Sequence, residues 1–206
     1  MTYEVRARQE RYRGPVFRVL TDEVRMPGGT YANRDYVVHI GAVGVAAIDE
    51  DDNIVLVHQY RHPIGYRLWE LPAGLVDVEG EELVDAAGRE LAEEADLAAA
   101  SWQVLLDLHT SPGFSNETIR LFLARDLSEV PEADRHQRHA EEAELTTARV
   151  PLDEAAEMIF RGEITNAACV VGVMSALRLR AQGWPATRPL DAALPRPRLA
   201  PVVSTP

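Results

Sequence analysis

Three glutamates decide which chemistry this sequence can carry. In Arg89-Glu90-Leu91-Ala92-Glu93-Glu94 the carboxylates recur at helical spacing. At about 100° per residue, Glu90 and Glu94 lie roughly 40° apart around a helix, with Glu93 roughly 60° to one side. Like charges so placed destabilise an isolated helix by a few tenths of a kcal/mol. A hard divalent cation reverses that penalty, because Mg²⁺ takes oxygen ligands, keeps several waters and binds through a few carboxylates plus substrate phosphates. For the three glutamates alone, a solvated acidic face accounts equally well for the pattern. Two neighbours tip the balance towards metal. The helix follows ELPAG (70–74), whose proline and glycine suit a fixed backbone path, and Arg89 stands ready to orient a carboxylate by a forked hydrogen bond.

The elements that must position these groups are legible in outline. The spacing of Val84, Ala87, Leu91 and Ala95 predicts a helix from about Glu81 to Ala95. Upstream, Ala42–Ile48 and Ile54–Gln59 read as buried strands around a polar turn at 49–53, and a long loop with Pro63, Gly65, Pro72 and Gly74 follows. Trp102–Leu108 and Ile119–Ala124 read as further strands. Asp153 is the expected N-cap of a helix to about Arg161, and Asn166 to about Gln182 is a last, apolar helix. Val16, Phe17 and Val19, then Tyr36, Val37 and Val38, read as short strands around the turn-rich MPGGTYANR. Strands mix with three helices without the regular alternation of a doubly wound sheet, so an α/β sandwich with a mixed sheet is expected. The expected organisation is an N-terminal strand region (1–40), a main domain (41–182) and a tail (183–206). The tail carries six of the chain's 13 prolines and reads as an extended or disordered arm.

Composition excludes several functions. The 206 residues carry 21 basic against 33 acidic side chains, a net charge of −12, which disfavours nucleic acid and anionic membranes. A lone Cys169 excludes a disulfide framework and any multi-cysteine zinc module. The charged N-terminus has no apolar signal stretch, and Ala167 to Leu177 is far too short to span a bilayer. A cytoplasmic location is expected.

The acidic helix and its flanks resemble the Nudix box, Gly-x5-Glu-x7-Arg-Glu-U-x-Glu-Glu-x-Gly-U, in which U is a bulky aliphatic residue. Glu81, Arg89, Glu90, Leu91, Glu93, Glu94 and Leu97 fall in register. There are two departures: Gly74 precedes Glu81 by one residue too many, and Asp96 replaces the terminal glycine. That glycine ends the helix at positive φ, which aspartate adopts more easily than a β-branched residue does. The resemblance implies a Nudix-type α/β/α sandwich with the N-terminal antiparallel strands appended. It implies metal ligation by Glu90, Glu94 and the Ala73 carbonyl, with Glu93 as a further ligand or base, and Glu81 and Arg89 holding the loop–helix–loop together. Two or three Mg²⁺ or Mn²⁺ ions per site are the expected cofactors.

The box sets the reaction class, hydrolysis of a nucleoside diphosphate linked to another moiety. YRH (60–62), LWELPAGL (68–75), SPGFSNE (111–117) and Pro112 beyond the box are similar to the ADP-ribose pyrophosphatase subfamily, over roughly residues 10–180. Arg61 suits a diphosphate because guanidinium pairs with phosphate oxygens in a bidentate way; a surface arginine at a strand end is the plain alternative. The resemblance implies that Arg34, within ANRD, reaches the ligand, from its own or from a partner subunit. Leu75 and Asp77 lie on the loop towards the ligand. Adenine stacks near Phe17, although plain core is the safer reading of Phe17 from the residues alone. Ser111, Gly113 and Glu117 line the terminal ribose, or else build a turn around Pro112-Gly113. Glu142 aligns best with the catalytic glutamate, ahead of Glu141 and Glu144, while His136 and His139 read as solvated. A homodimer through the N-terminal strands is implied. The expected products are AMP and ribose 5-phosphate. The alternatives are another nucleotide sugar or dinucleotide, a non-catalytic ADP-ribose-sensing module, or a plain interaction domain with an acidic helix.

Overall fold

The computed structural model describes residues 3–138, 144–195, 197 and 199–202. The chain forms two compact units, one of Met1–Gly41, His109–Thr118 and Pro195–Pro206, the other of Ala42–Leu108 and Ile119–Leu194.

The first unit is a meander of β1 (Val5–Arg13), β2 (Phe17–Arg25) and β3 (Tyr31–His39), each strand antiparallel to the next. The β2–β3 turn is confined to Met26–Thr30, where Met26 N–H donates to Thr30 O and Gly28 and Gly29 take positive φ. Tyr31, Ala32, Asn33 and Arg34 therefore belong to strand β3 and not to the turn, a correction to the sequence reading. Segment 114–116 lies along β3: Val37 N–H donates to Phe114 O at 2.7 Å, Asn116 N–H to Val37 O at 3.1 Å, and His39 N–H to the Asn116 side chain at 2.9 Å. The far end of the chain returns here, with Arg8 donating to Ala200 O and Val202 bridging Val5.

Among the described residues the second unit holds two sheets and three α-helices. One sheet has the order β10 (Thr146–Pro151), β5 (Asn53–Arg61), β6 (Tyr66–Glu70). The other has the order β7 (Ala73–Leu75), β4 (Ala42–Ala47), β9 (Thr118–Glu129), β8 (Leu97–His109). It is mixed, since β4 runs antiparallel to β7 and parallel to β9. The helices are α1 (Leu83–Ala95), α2 (Leu152–Phe160) and α3 (Ala167–Arg180).

Strand alternation explains the layering, since successive side chains point to opposite faces. Val43, Val45 and Ala47 on β4, with Val55 and Phe122, pack against Ala86, Ala87 and Leu91 of α1. Ala46, Ile54, Leu56, Leu121 and Leu123 pack against Leu152 and Ala155 of α2 and Cys169 and Val173 of α3. Helix, strands and helix thus share two cores, the α/β/α arrangement expected from the sequence.

Two sequence expectations are revised. The long loop after β5 contains β6 and β7, whose pairing comes from β5 and β4 and not from their own periodicity. Asp153 does not cap α2: the N-cap is Pro151, and Asp153 pairs with Arg180 at 2.5 Å. The described tail is extended and bonded. Thr187 bonds to the Gln103 side chain and to Val104 O, and Arg188 to Asp107. Among the described residues no helix is long and apolar enough to cross a membrane.

Candidate active site

Helix α1 presents its carboxylates to β7. Glu94 is 4% exposed, and its Oε2 accepts the Ala73 N–H at 2.8 Å. Glu90, 8% exposed, lies over Gly74 so closely that a Cβ there would stand 2.1 Å from its carboxyl carbon. Only glycine leaves room for that carboxylate. The Pro72 carbonyl is used by Val45 N–H, which anchors the turn into β7. Arg89 forks onto Glu81, with Nε to Oε1 at 3.1 Å and Nη2 to Oε2 at 3.2 Å. Its Nη1 donates to Glu90 at 2.7 Å and to Glu93 at 3.4 Å, and Asp77 stands 3.9 Å from Nη2. Bonding to Glu81 and the charge of Glu90 outweigh burial and raise the Arg89 pKa above its ordinary value, so this cation is permanent. Leu75 ends β7, half-buried beside these groups.

One guanidinium thus faces Glu81, Glu90, Glu93 and Asp77. That excess of oxygen donors, with Glu90 nearly buried and Glu94 nearly buried beside it on the same helix, fits a hard divalent cation. Among the described residues, no three acidic, histidine or cysteine side chains already converge on one point. Arg89 and the Ala73 N–H hold the carboxylates in the meantime.

Arg61 sits at the end of β5 with its guanidinium on the buried carboxylate of Glu70: Nε donates to both oxygens at 3.1 and 3.2 Å, and Nη2 to Oε2 at 2.7 Å. Gln59 donates to the same Oε2 at 3.3 Å. Sequence reasoning missed Glu70 and Gln59. The signal is non-local, since β5–β6 pairing brings residues 59, 61 and 70 to one face. Burial, with the charge of Glu70 added, pushes the neighbouring Cys169 thiol well above its ordinary pKa, so this lone cysteine is inert.

The acidic loop divides. Glu141, Glu142 and His139 lie outside the described residues. His136 is exposed. Glu144 is taken by Arg67, which binds its carbonyl at 2.8 Å and also its carboxylate. Arg67 shares a face of β6 with Trp69, which stacks on His58 and packs into the α2–α3 core. Glu144 is exposed, and its contact with Arg67 is a surface ion pair.

In the strand unit the predicted residues separate. Phe17 pairs with His39 on one face of the sheet, while Arg34 pairs with Asp22 on the other, five rungs away. Phe17 is 40% exposed and tilted against Tyr12 with ring centroids 5.6 Å apart, so it is not core. Arg34 donates to Asn33 O and contacts the Met26 sulfur. Ser111 and Gly113 stand in the turn closed by Phe114 and Ser115 N–H on Ser111 O. Glu117 accepts from the Thr110 hydroxyl, and its N–H donates to Ser115 Oγ. His39 Nδ1 stands 3.6 Å from Glu117 and lies within hydrogen-bond reach of the Gly41 N–H.

The NUDIX domain model matches residues 38–169. An ADP-ribose pyrophosphatase of Mycobacterium tuberculosis is 47% identical over 189 residues, covering 92% of this chain and 89% of its own length. One of Bacillus subtilis is 33% identical over 162 residues, covering 78% and 85%. A solved structure described as an ADP compounds hydrolase superposes with a TM-score of 0.73 over 89% of this chain and 97% of its own, at 21% identity, a likeness of fold. The extent of the family match and the two relatives show that the chain belongs to the Nudix family.

Proposed function

We propose that this protein is a divalent-metal-dependent hydrolase that cleaves the diphosphate of ADP-ribose into AMP and ribose 5-phosphate. The observation that carries the reading is the pair of nearly buried carboxylates, Glu90 against Gly74 and Glu94 on the Ala73 N–H. Groups so costly to bury persist where a cation or a hydrogen-bonded partner compensates them. The substrate is supported by the two ADP-ribose pyrophosphatases above.

Glu90, Glu94, Glu93 and the Ala73 carbonyl would hold two or three Mg²⁺ or Mn²⁺ ions. When bound, such ions supply Lewis acidity, lowering the pKa of the attacking water and offsetting charge on the leaving phosphate. The protein's own residues do the rest. Arg89 and Glu81 fix the turn on which Leu75 and Asp77 meet the ligand. Arg61, held by Glu70, orients the diphosphate. Glu142, ahead of Glu141 and Glu144, accepts the proton of the water, a role worth about 10²–10⁴-fold. In the strand unit, Phe17 stacks on adenine and Ser111, Gly113 and Glu117 contact the terminal ribose. A homodimer through the N-terminal strands is part of the proposal. Because Arg34 and Phe17 occupy opposite faces of one sheet, a second copy offers a way for both to serve one ligand.

The test is product analysis in ¹⁸O-labelled water with ADP-ribose, GDP-mannose and NADH. AMP and ribose 5-phosphate from ADP-ribose, abolished by chelator, are expected, and the label reports which phosphorus is attacked. Preference for another substrate would move the assignment within the same chemistry. Tight ADP-ribose binding without turnover would identify a sensing module instead.

A further inference from the structure

The C-terminal end of α1 is built differently from the pattern its sequence resembles. Its last turn contains no basic residue, so the negative end of the helix dipole and the charges of Glu93 and Glu94 coincide without a cation of the helix's own. Asp96 follows in the left-handed region at φ 56° and ψ 33°. Its N–H closes onto the carbonyls of Leu91 and Ala92, and its carbonyl accepts the Val130 N–H at 2.9 Å. Glycine would make every one of those bonds, with less backbone strain. What glycine lacks is the carboxylate, whose Oδ2 accepts from Arg138 Nη2 at 2.7 Å. The same guanidinium donates through Nε to the Glu93 carbonyl at 2.9 Å. Both side chains are 22% exposed, where a charge-assisted bond is screened less than at an open surface.

We propose that Arg138, held in place by Asp96, is a positioning residue for the metal-binding turn. It brings from another segment the cation that the helix end lacks, and it ties down the backbone from which Glu93 and Glu94 project. Arg89 grips the carboxylates from the side, and Arg138 grips the last turn from its end. Asp96 is then a functional replacement for the box glycine, trading backbone ease for a tether. The inference rests on the metal-dependent reading above.

The test is calorimetric titration of Mn²⁺ into the substrate-free protein, with Tm measured alongside, for wild type, Asp96→Gly, Asp96→Asn, Arg138→Ala and the Asp96→Gly/Arg138→Ala double variant. Arg138→Ala and Asp96→Gly should each weaken Mn²⁺ binding about tenfold, the lower end of what losing an outer partner of a metal ligand costs. The double variant should be no weaker than the weaker single one, because both changes break the same tether. Asp96→Asn, which tolerates the left-handed conformation and keeps an acceptor, should fall between wild type and Asp96→Gly. The Tm of Asp96→Gly should stay within about 3 °C of wild type, so that its loss of metal is not unfolding. Wild-type Mn²⁺ affinity in Asp96→Gly, or losses that add in the double variant, would overturn the proposal. A wild-type protein that binds no Mn²⁺ would overturn the metal reading and this inference with it.

Discussion

Two arginine–carboxylate clusters in the same unit show opposite charge arithmetic. Around Arg89, one guanidinium serves Glu81, Glu90 and Glu93, with Asp77 close by, and its side chain is 30% exposed. In the second cluster Arg120 (side chain 3% exposed) and Arg188 both bind Asp107 (7%). The spare donors there end on backbone carbonyls, Arg120 on Ala192 and Arg188 on Ala193. The second cluster closes on itself and joins β8, β9 and the tail. The first holds a surplus of carboxylates over guanidinium groups among the described residues. Both contain forked guanidinium pairs, so the fork does not distinguish a working site from a structural clasp; the ratio of carboxylates to cations does.

The largest effect should come from the surplus side. Glu94→Gln removes a proposed metal ligand while an amide oxygen can still accept the Ala73 N–H. Loss of several kcal/mol of Lewis-acid stabilisation predicts a fall in kcat on the order of 10³-fold. Tm should shift by less than about 4 °C. Near-wild-type turnover at ordinary metal concentration would erase the contrast between the clusters. Next in size is Asp107→Ala, which strands a buried Arg120 and should lower unfolding free energy by about 3 kcal/mol in urea titrations. Activity per folded molecule should not change, and a loss of kcat equal to that of Glu94→Gln would show that the clasp is not merely structural. Gly74→Ala is intermediate: the added methyl must displace Glu90, costing about 1–3 kcal/mol as an overpacked contact, and should lower activity more than it lowers Tm.

The smallest effect is pH dependence. Burial raises the Asp107 pKa, but hydrogen bonds and charge from Arg120 and Arg188 outweigh it and hold the group below the ordinary carboxylate value. A folded pKa below the unfolded one, about 3.9, gives stability that is complete above that value and is lost as pH falls from it through the folded pKa. Asp107→Asn should therefore flatten part of the decline in Tm below about pH 4, where the unfolded carboxylate begins to hold its proton. An unchanged acid limb would mean that other carboxylates set it. Asp49 is one such group: burial raises it, but bonds from Asn53, Asp51 and Arg149 leave its pKa lowered too.

What the sequence disclosed follows from how local each signal is. Helix α1 was legible because its apolar stripe and its carboxylates repeat within four residues of one another. Strands β4 and β5 were legible as apolar runs around Asp49, whose Oδ1 accepts from Asp51 and Asn53 N–H as a polar turn requires. Strands β6 and β7 were not, because their place depends on registers with β5 and β4 that no short window contains. For the same reason Arg61 was visible and its partner Glu70 was not. All 21 basic residues are arginines, so residue type alone could not separate Arg61 and Arg89 from Arg120 or Arg149. Phe17 misled in the opposite direction: an aromatic in an apolar run suggests core, yet it sits at the strand's first position, where the sheet gives it little cover. The separation of Arg34 from Phe17 also had to await the pairing of β2 with β3, since facing is a property of register.

The bond from Arg8 to Ala200 joins positions 192 residues apart, and Val202 lies beside Val5. Strand β1 therefore lacks this neighbour until translation has passed residue 200. At about 5–20 residues per second, that delay is roughly 10–40 s. During it the newborn sheet exposes the edge that the returning segment will cover, and a chaperone or a second nascent chain can reach that edge first.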